Sequence, residues 1–152
     1  MSTDTECSIA EVNAIVLAVS EIELAQTDIP AKINRQFDIV YQWIKQAPVQ
    51  QAGHNYALYD RFSNHGMRMR TGFPVSDRFT GTDLVSCLEL PAMRTAHARH
   101  RGSYARLGET HRALNAWCDS RKLQRKPLSW EVYGDWFDDE SKLVTDIYIQ
   151  IA

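Results

Sequence analysis

Apolar positions recur along this chain at two spacings, and each change of spacing marks an element. Val12, Ala14, Ile15, Val16, Leu17 and Val19 form a short β-branched run that predicts a strand. Thr27-Asp28-Ile29-Pro30 then offers cap-type residues followed by an early proline, a helix start. Ile33, Phe37, Val40 and Ile44 recur at helical spacing with Trp43 beside them, which predicts one amphipathic helix over 29–46, ended by Pro48 and Gly53. Residues 56–59 and 67–75 read as two strands around the polar turn Ser63-Asn64-His65-Gly66. The second half runs similarly. Residues 84–90 predict a strand, which 97–99 either extends or follows with another. Ser103 is placed to cap a helix with Leu107, His111, Leu114 and the Trp117-Cys118 pair on one face. Pro127 interrupts the chain before a strand at 130–133, and the acidic turn Asp138-Asp139-Glu140 leads to a last strand over 143–151. Residues 1–10 read as a frayed tail.

Sliding the chain by about 74 positions brings the halves into correspondence. Trp43 then meets Trp117, Tyr56 meets Trp130, Tyr59 meets Tyr133 and Thr71 meets Thr145. The pattern predicts an α+β fold built from two β-α-β-β units, about 11–78 and 84–152, within one domain over 11–152. Each unit would be an antiparallel sheet with its helix on one face, and a pseudo-two-fold axis would leave a cleft between the halves. Leu58 and Val132 are then expected beneath the helices, with Tyr59, Glu131 and Tyr133 pointing the other way, into the cleft. At the place of Glu131 the first half has Ala57, so the acid breaks the internal symmetry.

Composition narrows the function classes. The net charge of −2 gives no whole-chain attraction for nucleic acid or an anionic membrane. No apolar run approaches the length that spans a bilayer, and Met1 to Ser8 is polar and acidic, unlike a signal peptide, so a cytoplasmic location is expected. Cys7, Cys87 and Cys118 are odd in number and lack metal-type spacing, as expected of free thiols in a reducing compartment.

The chemistry concentrates in Ser129-Trp130-Glu131-Val132-Tyr133. A carboxylate among aromatic and β-branched strand residues is costly to bury unless something pairs with it. Its partner is a bound ligand or an internal arginine such as Arg99 or Arg106; otherwise the acid lies on a solvated edge. If the site is sheltered, Tyr59 and Tyr133 supply ring faces for a delocalised cation, each contributing roughly 0.5–2 kcal/mol.

Gly102-Ser103-Tyr104, the helix with Ala113-Leu114 and Trp117, then Glu131-Val132-Tyr133 and Thr145-Asp146-Ile147-Tyr148 together resemble the GyrI-like (gyrase-inhibitor-like) family. That family includes the effector-binding domains of AraC-type and multidrug-responsive bacterial regulators. The likeness is strongest over 84–152. It implies a duplicated β-α-β-β fold, a central pocket for amphipathic and often cationic small molecules, and a buried strand glutamate, here Glu131, as ligand partner. The chain departs from the regulator pattern in leaving no room for an added helix-turn-helix, so the binding module alone is expected, with a separate regulatory protein as a candidate partner.

Around Glu131 the expected ligand-binding set is Tyr133, Tyr59, Tyr104, Trp136 and Tyr148. Tyr104 either looks into the cleft or forms a hydrophobic staple, and the pattern leaves the facing of Trp136 and Tyr148 open. Trp43 and Trp117 fit core packing, and Met67 and Met69 fit core strand positions, although methionine also suits adaptable pockets. Residues 94–112 hold five arginines and three histidines (His97, His100, His111), yet no Cys or acid at a dependable ligand spacing, so a solvated basic strand edge is expected rather than a metal or phosphate site. No cofactor motif is present. The expected function is therefore a binding module for small amphipathic or cationic organic ligands, with no catalytic residue, no direct nucleic-acid contact and no membrane contact. Two alternatives stand beside it: a hydrolase using Glu131 and Tyr133 as an acid/base pair, and a gyrase-inhibitor-like role on the outer surface.

Overall fold

The computed structural model describes residues 6–152. Eight strands and two helices follow one another as β1 (Cys7–Val12), β2 (Ile15–Leu24), α1 (Ile29–Ile44), β3 (Tyr56–Ser63), β4 (Gly66–Pro74), β5 (Ser86–Leu90), β6 (Met93–Arg101), α2 (Leu107–Ser120), β7 (Arg125–Tyr133) and β8 (Val144–Ile151). Single 3-10 turns, Gln26–Asp28 and Tyr104–Arg106, lead into the helices. Pro30 lies in the first turn of α1, where it removes no helical hydrogen bond. The Ser103 side chain accepts a hydrogen bond from the Ala105 amide, as its cap position predicted.

All eight strands form one antiparallel sheet in the order β1-β6-β8-β7-β3-β4-β2-β5. The order reads the same from either edge once the halves are exchanged, which is the pseudo-two-fold arrangement the repeat implied. The halves are not merely side by side: β3 pairs directly with β7, with Ala57 opposite Glu131 and Leu58 opposite Trp130. Each edge strand also crosses over, β1 pairing with β6 and β5 with β2.

Those crossovers force the sheet to curl. In the sheet order β1 and β2 stand six strand spacings apart, roughly 29 Å if the sheet were flat. Only residues 13 and 14 join them, a reach of at most about 11 Å. Residues 91 and 92 impose the same closure between β5 and β6. A half-barrel results.

Two expectations need correction here. Residues 7–10, read as part of a frayed tail, are strand β1, laddered from Cys7–Ala98 to Val12–Met93; residues 1–5 of that tail lie outside the described residues. A constant offset of 74 also fails. It would pair Arg94 with Thr145 by analogy with Ser20 and Thr71, whereas His100 is the residue opposite Thr145. The offset is 78 between the starts of β2 and β6 and of the two helices (Ile15 to Met93, Ile29 to Leu107) and 74 at the seam (Ala57 to Glu131), because the helices and the segments after them differ in length.

Both faces of the sheet are covered. Ala96, Ala98, Ile147 and Ile149 of the sheet pack against Leu114 and Cys118 of α2. Ala18 and Phe73 pack against Val40 of α1 at one end, and Ala57, Tyr59 and Met69 pack against its Phe37 at the other. The opposite face gathers Leu17, Val19, Leu58, Leu90 and Trp130. Leu58 is fully buried, but on this second face, not beneath a helix as expected. The helices therefore share a face with Tyr59, Glu131 and Tyr133, and the cleft opens between them. Gly72 illustrates the tightness of the ladder: a β-carbon there would lie 1.7 Å from the Ala18 carbonyl oxygen.

Candidate functional site

Alternation along the two central strands builds the floor of the cleft. Glu131 and Tyr133 stand two apart on β7, Ala57 and Tyr59 two apart on β3, so all four project to the helix face. Ala57 directly opposes Glu131 across the ladder and is the small side chain that leaves space above the carboxylate. α1 contributes Ile33 and Phe37 from one side, and α2 contributes His111 and Asn115 from the other. Between them is an open cleft of about 1660 Å³. Its wall on the α1 side is mostly apolar, with Ile29, Pro30, Ile33 and Phe37 interrupted by Asn34. Its wall on the α2 side is polar, and Arg112, Arg125 and Lys126 border it there.

Glu131 is 6% exposed and both carboxylate oxygens are engaged. The Tyr133 hydroxyl donates to Oε1 at 2.6 Å, and His111 Nε2 lies 2.7 Å from Oε2. Neither arginine considered from the sequence reaches it: Arg99 binds Asp146 and Arg106 binds Glu109. The partner is His111. It is placed by α2, whose spacing puts residue 111 one turn after Leu107 on the sheet-facing side. Burial first, then the charge of Glu131, pushes the hydroxyl pKa values of Tyr133 and Tyr59 well above their ordinary value. Both tyrosines therefore remain neutral beside the acid, and Tyr133 is its donor.

An aromatic wall rises from this floor. Phe37 and Tyr104 each meet Tyr133 edge-on, at centroid distances of 6.2 and 5.5 Å. Trp136 extends the wall from Tyr104 at 6.3 Å and is 67% exposed, so it forms the lip. Five of the six residues expected around a ligand thus border one cleft: Glu131, Tyr133, Tyr59, Tyr104 and Trp136. Tyr148 does not. It alternates with Ile147 and Ile149, which pack under α2, and so projects to the opposite face, where it stacks on Trp130 at 5.3 Å and lies beside His97.

His111 and Phe37 were read as parts of helical apolar stripes, and their place in the cleft was missed. A titratable residue within such a stripe, facing a strand that carries an unpartnered acid, was the available signal. The other histidines of the basic segment are taken up elsewhere, His97 by Asp146, and His100 by Thr110 and the Ser103 carbonyl. Among the described residues no three His, Cys, Asp or Glu side chains cluster as metal ligands, and no helix is long and apolar enough to cross a membrane. Trp43 packs half-buried against Phe79, and Trp117, on α2 itself, packs half-buried against the cluster that holds Leu114 and Cys118.

The sequence model for the GyrI-like family, a small molecule binding domain, matches residues 6–152. The chain belongs to that family. Solved structures carry the same fold at low sequence identity. The C-terminal domain of EcmrR superposes on this GyrI-like domain with a TM-score of 0.87 at 16% identity, covering 99% of each chain. EcmrR in a cryo-EM complex with DNA gives 0.83 at 15% identity, over 97% of this chain and 57% of that one. SAV2435, bound to tetraphenylphosphonium, gives 0.72 at 11% identity, over 97% and 94%. A hydrolase from Listeria innocua gives 0.63 at 9% identity, over 97% and 92%. No curated protein sequence matches the chain. The GyrI-like domain is thus a small-molecule-binding fold, and its cleft lies on the helix side of the central strands.

Proposed function

We propose that this domain binds amphipathic organic cations in the cleft, as a cytoplasmic sensing or sequestering module. The observation that carries this is Glu131, a carboxylate buried among tyrosine and phenylalanine rings whose one ionisable cationic partner is a histidine. A delocalised cation is cheap to desolvate, gains from the ring faces, and is attracted by the acid. The tetraphenylphosphonium bound to SAV2435 in the same fold supports the ligand class. The likeness to EcmrR, seen with DNA, supports a link to transcriptional control, with DNA contact left to a separate protein or domain. Calorimetric titration with tetraphenylphosphonium and with neutral triphenylphosphine oxide tests the reading. The cation is expected to bind the more tightly and to raise the melting temperature by mass action. Equal affinity for the two compounds, or no binding of any lipophilic cation, overturns it.

A second reading rests on the hydrogen bonding of Glu131. A buried acid held by a tyrosine hydroxyl and an imidazole has the parts of a general acid/base centre for hydrolysis. Mass spectrometry of compounds incubated with the protein decides it: an added water, lost in Glu131→Gln, supports turnover, and unchanged ligand removes it.

A further inference from the structure

We infer that His111 sets which charge state of the site accepts a ligand, so that a lipophilic cation binds beside Glu131 as His111 gives up its proton. The inference rests on the cation-binding reading above. Its basis is geometric. Both oxygens of Glu131 are occupied, one by the neutral Tyr133 hydroxyl and the other by His111 Nε2 at 2.7 Å, and the Glu131 side chain is only 8% exposed. With His111 protonated, the two side chains together are neutral and the carboxylate is already paired. A second cation would then put two positive charges on one sheltered acid. With His111 neutral, Nε2–H still donates to Oε2, the pair carries one negative charge, and an arriving cation is its counterion. Histidine is the side chain whose ordinary proton exchange falls between about pH 5 and 8, the range that the titrations below span.

The charged and titratable neighbours of the pair do not replace this role. Tyr133 on β7 and Tyr59 on β3 stay neutral. On α2 itself, Arg112 borders the cleft, while Glu109 is turned to Arg106. From β6, His100 bonds Thr110 and the Ser103 carbonyl. Arg125, at the start of β7, is held by Asn115 and Asp119, and Lys126 beside it is exposed. At the rim His54 pairs with Asp135, both exposed; it is the one other histidine bordering the cleft and serves as the control.

Tetraphenylphosphonium is the probe, because its charge does not vary with pH. Titrations near pH 6 and near pH 8, in buffers of different ionisation enthalpy, read affinity and proton release together. The wild-type protein is expected to release a fraction of a proton per ligand and to bind several-fold more tightly at the higher pH, by at most about tenfold per pH unit for one coupled proton. His111→Gln should bind with no pH dependence and no proton release, and His54→Gln should behave as wild type. Triphenylphosphine oxide should be indifferent to pH. The imidazole resonance of His111 in the wild-type protein, followed by NMR with and without the probe, supplies the same answer should the variant fail to fold: the ligand should shift its titration to lower pH. Binding with a flat pH profile and no proton release overturns the role of His111 alone. No binding at any pH overturns the cation reading and this inference with it. Loss of the pH dependence in His54→Gln instead assigns the coupling to the rim.

Discussion

Replacing Glu131 with glutamine isolates the charge in the cleft. The substitution keeps the shape: glutamine Oε1 can still accept from Tyr133, and its amide can donate to a neutral His111 ring nitrogen. The fold should lose only the difference between charge-assisted and neutral hydrogen bonds, about 1 kcal/mol. The ligand should lose more. For a phosphonium centre held by its phenyl rings roughly 6 Å from the nearest carboxylate oxygen, the attraction at an effective dielectric constant of about 20 would be about 3 kcal/mol. Removing the acid's residual water when the cleft fills offsets part of it, leaving a net loss of about 1–2 kcal/mol, or roughly 5- to 30-fold in Kd. Neutral triphenylphosphine oxide meets the same rings without that attraction and should change by less than about twofold. Calorimetry on both variants with both compounds gives four numbers. Parallel losses for cation and neutral would show that the glutamate shapes the cleft and does not choose by charge.

Other positions separate fold from site. Tyr148→Ala removes the stack on Trp130 and should cost about 1–2 kcal/mol in urea denaturation while leaving tetraphenylphosphonium affinity within about twofold, because the ring lies on the far face; a binding loss as large as that of Tyr133→Ala would return Tyr148 to the pocket. Gly72→Ala drives a β-carbon to 1.7 Å from the Ala18 carbonyl oxygen, so β2 and β4 must part, and a loss of at least about 3 kcal/mol, read by denaturation, is expected. Arg68 grips Asp60 through Nε at 2.7 Å and Nη2 at 2.6 Å, and these bonds outweigh burial and hold the Asp60 carboxyl below its ordinary pKa. A lowered native value means the carboxylate stabilises the fold above the ordinary range near pH 4, and that contribution fades as pH falls through the native value. The stability gap between wild type and Asp60→Asn should therefore be full at neutral pH and shrink below about pH 4; a gap that widens in acid would contradict the sign.

The sequence carried the elements more clearly than their contacts. Alternation at 130–133 correctly separated Trp130 and Val132 from Glu131 and Tyr133, because a strand allows no other arrangement. Which face carried the helices was not legible. Leu58 and Ala57 are both fully buried, so polarity along β3 does not mark one side as outer. Strand β1 escaped notice because it is an edge strand with a half-exposed pattern and a serine and a glutamate among six residues. Pro127 read as a chain break, yet it sits inside β7 where the ladder to β8 shifts register between Arg125 and Ser129, a place where its missing amide costs no pairing. The seam between β3 and β7 joins residues 70 to 76 positions apart, and nothing in local periodicity encodes such a pairing. His111 was hidden for a related reason: helical spacing told which way it points, but only the pairing of β7 with β8, whose Ile147 packs against α2, brings Glu131 to meet it.

Duplication explains how one cleft acquires two unlike walls. If both halves kept the same side chains, the seam would place identical groups across the axis, and a charged pair there would repel. Here Tyr59 and Tyr133 remain alike, since neutral rings tolerate each other, while Ala57 faces Glu131 so that one acid stands alone. The helices have diverged in the same sense: Ile33 and Phe37 of α1 present carbon, and His111 and Asn115 of α2 present nitrogen and oxygen. In the proposed mode, a ligand with an apolar flank against α1 and a cationic centre over Glu131 would match both at once. A ligand apolar throughout leaves the Glu131–His111 pair buried without its water, and a small hydrated cation leaves the α1 wall wet; each forfeits one half of the site. Making the walls alike is therefore the sharpest test of the proposed preference. Ala57→Ser, which adds only a hydroxyl beside the acid, should weaken tetraphenylphosphonium little, whereas Phe37→Asn should weaken it and the neutral phenyl compound together, by roughly tenfold for the apolar contact removed. If Phe37→Asn spared both compounds in calorimetry, the α1 wall would have no part in binding, and the preference for amphipathic cations would have to come from Glu131 and the Tyr104–Trp136 lip alone.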